Sequence, residues 1–404
     1  MFDQVPHYAG DPILSLVEQF KVDPRPNKVN LSVGMYYNDE GVVPQLAAIR
    51  AAQQLQADID ANAKLYLPME GLPDYRNAVQ ELLFGEQHSA IKDQRIATIQ
   101  TLGGAGAISI GANFLKSFFP DSGVWLSQPT WDNHAAIFNG VGFKTHYYPY
   151  YDAVTGQIDF DGMCETLSVL SAHSIVLLHP CCHNPTGMDL VPEQWDRVIE
   201  IIQQRGLIPF LDIAYQGLGD GIEQDAYLIR ALANTQVQFM LSNSFSKIFS
   251  LYGERVGGLS VVCQHQEEAT RVLGQLKAVI RRHYTCPPTT GAALVNVVLN
   301  KLELKQLWLT EVETMRQRIV LMRQQLKALL SEKLPEQNFD YLTEQQGMFS
   351  YTGLSVEQVN CLREEYAVYL IKSGRICISG LNSSNVEYVA QAIAEVIQSE
   401  VALG

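Results

Sequence analysis

The chain has 404 residues, more than one ordinary hydrophobic core accommodates, so two domains or one large domain with an appendage are expected. Apolar residues make up 47% and charged residues 18%, a globular composition that excludes a disordered chain. The formal net charge of -14, without a basic run, argues against a nucleic acid as partner.

In chain order, the N-terminus shows no basic stretch followed by an apolar one, so no signal peptide is expected. Short apolar runs then recur, each followed by a turn and a helical pattern: Ile96 to Thr101, Gly123 to Ser127, Ser174 to His179, Leu207 to Asp212, Phe239 to Ser242 and Gly258 to Val262. Runs this short and apolar suit strands buried on both faces, and their alternation with helices gives an α/β fold with a mostly parallel sheet. Ligands of such sheets lie beyond the carboxyl ends of the strands. Further on, Val312, Met315, Ile319, Met322, Leu326 and Leu329 form one face of a long amphipathic helix. Ser384 and Glu387 read as a capping box ahead of a last helix carrying Val386, Val389, Ala390, Ile393, Val396 and Ile397 on one face. Residues 45–310 are expected to form a large domain, and 1–44 with 311–404 an N-terminal arm plus a smaller, discontinuous α/β domain. No apolar run is long enough to span a membrane. The seven cysteines are scattered without a C-x-x-C pair, so neither a disulfide framework nor a metal site is expected, and a cytoplasmic setting fits.

Several chemically distinctive residues fall at the strand ends. Lys247, in Ser244-Phe245-Ser246-Lys247, follows an apolar run. A lysine after a strand is usually a solvated surface residue, but a buried amine has a lowered pKa and a lone pair ready to attack a carbonyl. Arg255 stands eight residues on, and with Ser244 it could hold a phosphate. Asp212 ends a run, where the ordinary reading is a helix cap. Asn184 sits in an Asn-Pro-Thr-Gly turn, where asparagine is common for local reasons. Gly103-Gly104-Ala105-Gly106 precedes a helical pattern, and glycines there leave N–H groups to cradle phosphate. The G-x-G-x-x-G pattern of dinucleotide sites is not present, which argues against a nicotinamide oxidoreductase.

The whole block from Ser244 to Gly257 resembles the class I, aspartate-type aminotransferases. The resemblance runs from Asp11-Pro12-Ile13 to Ser373-Gly374-Arg375, with Cys181-Cys182-His183-Asn184-Pro185-Thr186-Gly187 and Asp212-Ile213-Ala214-Tyr215 among its sharpest signatures. It implies the fold-type I architecture, a homodimer, and pyridoxal 5'-phosphate (PLP) held by Lys247 as a Schiff base. It also implies that Asp212 meets the pyridine nitrogen, Tyr215 and Asn184 the phenolic oxygen, and Gly103, Gly104, Ala105, Ser244 and Arg255 the phosphate. Ala105 departs from the family, which usually carries Thr or Ser there. Trp131 matches the tryptophan that stacks on the ring, and Tyr66 a tyrosine that reaches the neighbouring subunit's phosphate.

For the substrates, amino acids and 2-oxo acids, the resemblance implies that Arg375 holds the α-carboxylate, with Gly34 and Phe349 nearby. Arg281 matches the arginine that meets a side-chain carboxylate from the partner subunit. Tyr37, Val43, Leu65 and Cys286 replace residues that strict aspartate enzymes commonly carry as Lys, Thr, Asn and Asn. A less polar rim leaves fewer polar groups unpaired around an aromatic ring. The pattern resembles the aromatic amino acid aminotransferases, which accept phenylalanine, tyrosine and tryptophan beside dicarboxylic acids; the alternative is a narrow aspartate enzyme. A PLP decarboxylase or lyase and a non-enzymatic ligand-binding regulator are the rivals within the fold.

Overall fold

The computed structural model describes residues 2–7, 10–57 and 64–401. The chain divides into two compact units, a large one of residues 44–317 and a smaller one of 1–43 with 318–404.

The large unit is built on a seven-stranded sheet. Its strands are β1 (Ile96–Leu102), β2 (Val124–Gln128), β3 (Thr145–Pro149), β4 (Ile175–Leu178), β5 (Ile208–Ile213), β6 (Phe239–Ser244) and β7 (Val256–Val262). Their order across the sheet is β1-β7-β6-β5-β4-β2-β3. Only β7 is reversed: it pairs antiparallel with β1 and β6, while the other pairings are parallel. Every residue of β4, β6 and β7 is buried, as expected of strands covered on both faces. The apolar runs of the sequence coincide with six of these strands. β3 was not anticipated, because as an edge strand it leaves Thr145, His146 and Tyr147 partly exposed and so carries no apolar run.

Helix α1 (Gly103–Phe118) follows β1 directly and buries Ala107, Ile108, Ile110, Ala112 and Leu115. Its Gly111 allows a close approach to β5, since a Cβ there would lie 2.7 Å from the ring of Phe210. Helices α2 (Asp132–Gly140) and α3 (Gln266–His283) also belong to this unit.

Helix α4 (Leu302–Lys333) contributes residues to both units. Val312, Met315, Ile319, Met322 and Leu326 are buried as the periodicity requires, but the next buried position is Leu330 rather than Leu329. In the smaller unit, Val29–Asn30 pairs parallel with Val368–Tyr369, and Phe349–Tyr351 pairs antiparallel with Arg375–Cys377. The last helix, Val386–Val401, buries Val386, Val389, Ala390, Ile393 and Val396. Its entry is not a Ser384–Glu387 box. Asn382 Oδ1 accepts from Ser384 N at 3.0 Å, Ser384 Oγ at 2.7 Å and Asn385 N at 3.0 Å, so the Ser384 hydroxyl is spent as a donor to that asparagine.

Candidate active site

The large unit gathers most of the expected residues at one edge of its sheet. β1 ends at Leu102, and Gly103 turns the chain with a φ of +67° into α1. No side chain caps that helix, so its first N–H groups are available to an anion. Glycine is required at the turn, because a Cβ on Gly103 would lie 2.8 Å from Arg255 Nη2. A Cβ on Gly257 would lie 2.7 Å from the Gly103 carbonyl carbon, so two backbones also meet here. Arg255 is held by its Nη1, which donates to Ser246 Oγ at 3.2 Å and Tyr252 O at 3.1 Å. Gly104 sits between Ser244 and Asp212: a Cβ there would be 3.3 Å from Ser244 Cβ and 3.9 Å from Asp212 Oδ1. Gly103, Gly104, Ser244 and Arg255 therefore form a cradle of N–H, hydroxyl and guanidinium donors matched to a phosphate.

Asp212, near the carboxyl end of β5, is largely enclosed, with its side chain 10% exposed. Its Oδ2 meets His134 Nε2 at 3.0 Å, and Ser242, its register partner on β6, donates to Oδ1. Burial works to raise this carboxyl, but the His134 hydrogen bond, the fields of His134 and His179 and the Ser242 hydroxyl outweigh it and hold it below the usual range. Thr130 Oγ1 lies 2.9 Å from the other His134 nitrogen. With the Thr130 hydroxyl donating to Nδ1, the Nε2–H points at the carboxylate. Trp131, at the start of α2, meets His134 edge-to-face with centroids 5.1 Å apart. Burial and the neighbouring His134 push His179 down to about 3, so it is uncharged at neutral pH and its field reaches Asp212 only in acid.

Lys247 lies in the turn after β6, with its Nζ 5.0 Å from the Tyr215 ring centroid. Tyr215 and Asn184 are both buried. Asn184 is presented by a turn that Asp189 secures, its carboxylate accepting from Cys182 N at 2.6 Å and His183 N at 2.9 Å. Burial raises Asp189 to about 7 against the pull of those two N–H groups. Leu65, Tyr66 and Cys286 line one surface groove of about 670 Å³ together with Leu102, the residue before the Gly103 turn. Tyr66 is 92% exposed and Leu65 82%. Arg281 is exposed at the end of α3, where its Nη1 donates to Thr285 Oγ1 at 3.2 Å.

In the smaller unit, Arg375 is only 4% exposed. Its Nη2 donates to Ser32 O at 2.8 Å, and its guanidinium lies 4.1 Å from the Phe349 ring centroid. Gly34 makes room for that ring, since a Cβ there would be 2.7 Å from Phe349 Cζ. Phe349 is fixed in turn by Arg323, which donates to the carbonyls of Leu342 at 2.9 Å, Gly347 at 2.8 Å and Phe349 at 2.5 Å. Tyr37 is half-buried, and burial followed by the nearby Cys377 raises its hydroxyl.

Sequence reasoning overlooked His134, Ser242, Ser246 and Asp189. His134 carried a usable signal, standing three residues after Trp131 on the same helical face. Ser242 and Asp189 required strand register and turn geometry.

A donor cradle at an uncapped helix, a lysine at a strand end and an enclosed, ionised carboxylate between them fit PLP, whose phosphate, carbonyl carbon and pyridine nitrogen call for those partners. On this sheet they define a PLP-dependent enzyme of fold-type I. The chain belongs to the aminotransferase class I and II family, whose model matches residues 26–393. It is 60% identical to the aromatic-amino-acid aminotransferase of Escherichia coli (strain K12), over 98% of this chain and 100% of the other. It is 47% identical to the aspartate aminotransferase of Pseudomonas aeruginosa over the same shares. The crystal structure of the Burkholderia pseudomallei aromatic-amino-acid aminotransferase, covalently bound to PLP, superposes with a TM-score of 0.96 at 47% identity, over 98% of this chain and 99% of that one. The protein is thus a PLP-dependent transaminase acting between amino acids and 2-oxo acids.

Proposed function

We propose that this transaminase moves the amino group of phenylalanine, tyrosine and tryptophan, and of aspartate and glutamate, to 2-oxoglutarate. The observation that carries the aromatic part is the apolar groove that Leu65 and Cys286 share, two positions where strict aspartate enzymes commonly carry asparagine. The 60% identity to a relative named for aromatic amino acids supports the same reading.

In this reading Arg375 takes the α-carboxylate of every substrate through its planar fork of donors, kept in place by Ser32 and the Phe349 face. Lys247 holds the cofactor, is displaced by the incoming amine, then takes the α-proton on Nζ and returns it to the cofactor side. Bound PLP supplies a protonated ring that draws off the electron pair left when the α-proton departs. Asp212, kept ionised by His134 and Ser242, sustains that ring charge. Tyr215 and Asn184 would serve as donors to the cofactor's phenolic oxygen, Trp131 would pack against its ring, and the Gly103–Ala105 turn with Ser244 and Arg255 would hold the phosphate. The large unit is the cofactor domain.

A homodimer supplies Arg281 and Tyr66 to the neighbouring chain. The near-complete exposure of Tyr66 and Leu65 in a single chain supports this. All seven cysteines are free thiols, in keeping with a reducing cytoplasm. Among the described residues no helix is long and apolar enough to cross a membrane.

The test mixes PLP-loaded enzyme with phenylalanine or aspartate in the absence of oxo acid and follows the cofactor absorbance. Conversion by both, with phenylalanine competitive in rate per concentration, is expected; conversion by aspartate alone would make this a narrow aspartate enzyme. Lys247→Ala should convert neither catalytically.

A further inference from the structure

His183, the residue before Asn184, is buried with both ring nitrogens engaged. Its Nδ1 lies 2.8 Å from Thr186 Oγ1 and its Nε2 2.9 Å from Ser127 Oγ. Tyr150 stacks on the ring, with centroids 4.1 Å apart and planes inclined by 17°. The Tyr150 hydroxyl donates to Met188 O at 2.8 Å, and the His183 carbonyl accepts from Gly187 N at 2.7 Å. The imidazole is thus gripped by the same turn that presents Asn184.

Donor counting gives these bonds a direction. Thr186 Oγ1 accepts from Met188 N at 3.1 Å. Thr186 is wholly buried, so its hydroxyl proton needs an acceptor, and among the described residues His183 Nδ1 is the one within reach. That leaves the Nε2–H to donate to Ser127 Oγ. Ser127 meets the hydroxyl of Tyr148, its register partner on β3, and Tyr148 donates to Leu177 O on β4 at 2.8 Å. The bonds therefore run one way, from the turn into three adjacent strands, β2, β3 and β4. Burial, then the His179 and His134 rings, hold the His183 imidazole far below its usual range, so it stays neutral and keeps this pattern. β2 ends one residue after Ser127 and leads on to Trp131. His183 thus ties the Asn184 turn to the strand that presents Trp131. Packing alone would be met by an apolar ring, whereas a fully bonded buried network specifies an orientation.

We propose that His183 is a positioning residue for the cofactor, fixing the Asn184 side chain against the phenolic oxygen of PLP. The proposal rests on the reading that Asn184 donates to that oxygen. A donor there draws electron density from the oxygen, which then holds the neighbouring Schiff-base proton of Lys247 less tightly. A loosened Asn184 leaves that proton more firmly bound.

The test follows the absorbance of the PLP-loaded enzyme across pH, without substrate. Asn184→Ala should move the spectral midpoint upward; an unmoved midpoint in that variant would refute the reading of Asn184 itself. Where Asn184→Ala does move it, His183→Ala should move it the same way by about 0.5–1 pH unit, the worth of one hydrogen bond. His183→Gln, whose amide can still donate to Ser127, should recover part of the shift. Ser127→Ala leaves the imidazole in place and should act in the same direction, which keeps the test open if His183→Ala does not fold. Adding His183→Ala or Ser127→Ala to Asn184→Ala should shift the midpoint no further, as for residues that act only through Asn184. A purely structural role would instead lower the urea midpoint and leave the spectral one where it was. That outcome overturns the proposal, and so does a full second shift in the double variants.

Discussion

Asp212 in the large unit and Arg375 in the smaller one are both charged groups withdrawn from water, but they are neutralised by different means. Asp212 is served by side chains, the His134 imidazole and the Ser242 hydroxyl. Arg375 is served by the Ser32 carbonyl and the Phe349 ring face. A carboxyl can change its charge with its hydrogen-bonding surroundings, whereas a guanidinium stays protonated. In the proposed function the cofactor side is therefore electrostatically adjustable, and the arginine proposed to take the α-carboxylate is a fixed cation. That division suits a reaction in which protons move at one end of the substrate while the other end must remain held through both half-reactions.

The comparison breaks most severely at Asp212. Asp212→Asn keeps the shape and one acceptor but removes the charge. Turnover with every amino acid should fall on the order of 10³-fold, the scale of losing one preorganised electrostatic group. A loss below tenfold in stopped-flow half-reactions would take the anion out of the chemistry. Arg375→Leu should come next, costing about 2–5 kcal/mol in kcat/KM for all substrates alike, as for a truncated buried charge contact. The absorbance of the bound cofactor without substrate should not change. A change there would show that the two sides are not chemically divided as described.

The titratable side also predicts a pH dependence of stability. Asp189 has its folded pKa raised to about 7 by burial, so between the unfolded carboxylate value and about 7 the native state holds a proton that the unfolded chain has released. Its contribution should therefore weaken as pH rises from about 4 to about 7. Asp212 has the opposite sign: its depressed pKa contributes stability above the unfolded value, lost as pH falls through the folded one. In Asp189→Asn, urea midpoints measured across pH 4 to 7 should lose part of that downward slope, with the midpoint at pH 7 moving by less than the activity losses above would suggest. An unchanged slope would show that the turn presenting Asn184 is not under this control.

How much was legible in the sequence follows from how local each contact is. The cofactor cradle is set by short motifs at strand ends, so Lys247, Arg255, Gly103 and Ser244 could be named from the chain alone, and buried strands announced themselves as apolar runs. His134 and Ser242 reach Asp212 across 78 and 30 residues, and no local pattern ties them to it. Ser32 meets Arg375 across 343 residues, and the Arg323 contacts that fix Phe349 depend on how a turn closes on a helix. The resemblance supplied Arg375, Phe349 and Gly34, but the reason Gly34 must lack a side chain became visible only with the Phe349 ring against it. The edge strand Thr145–Pro149 escaped because one partner strand leaves half its residues polar. The capping box failed because Asn382, two residues earlier, competes for the Ser384 hydroxyl.

The smallest expected effect concerns Ala105, in the first turn of α1 between Gly104 and the helix body. Relatives place a hydroxyl at this point of the phosphate cradle, and here the backbone N–H groups, Ser244 and Arg255 must suffice. Ala105→Ser restores one donor without disturbing Gly103, whose φ and contact with Arg255 tolerate no side chain. One added hydrogen bond contributes about 0.5–1.5 kcal/mol, so PLP affinity should rise by about two- to tenfold with turnover almost unchanged. Fluorescence titration of the apoenzyme would read it. A gain of that size would show that the cradle is under-supplied and that cofactor retention in this chain leans on the Lys247 bond. No gain would show that the uncapped helix end and Arg255 already saturate the phosphate, making the large unit's cradle as fixed as the arginine site of the smaller unit.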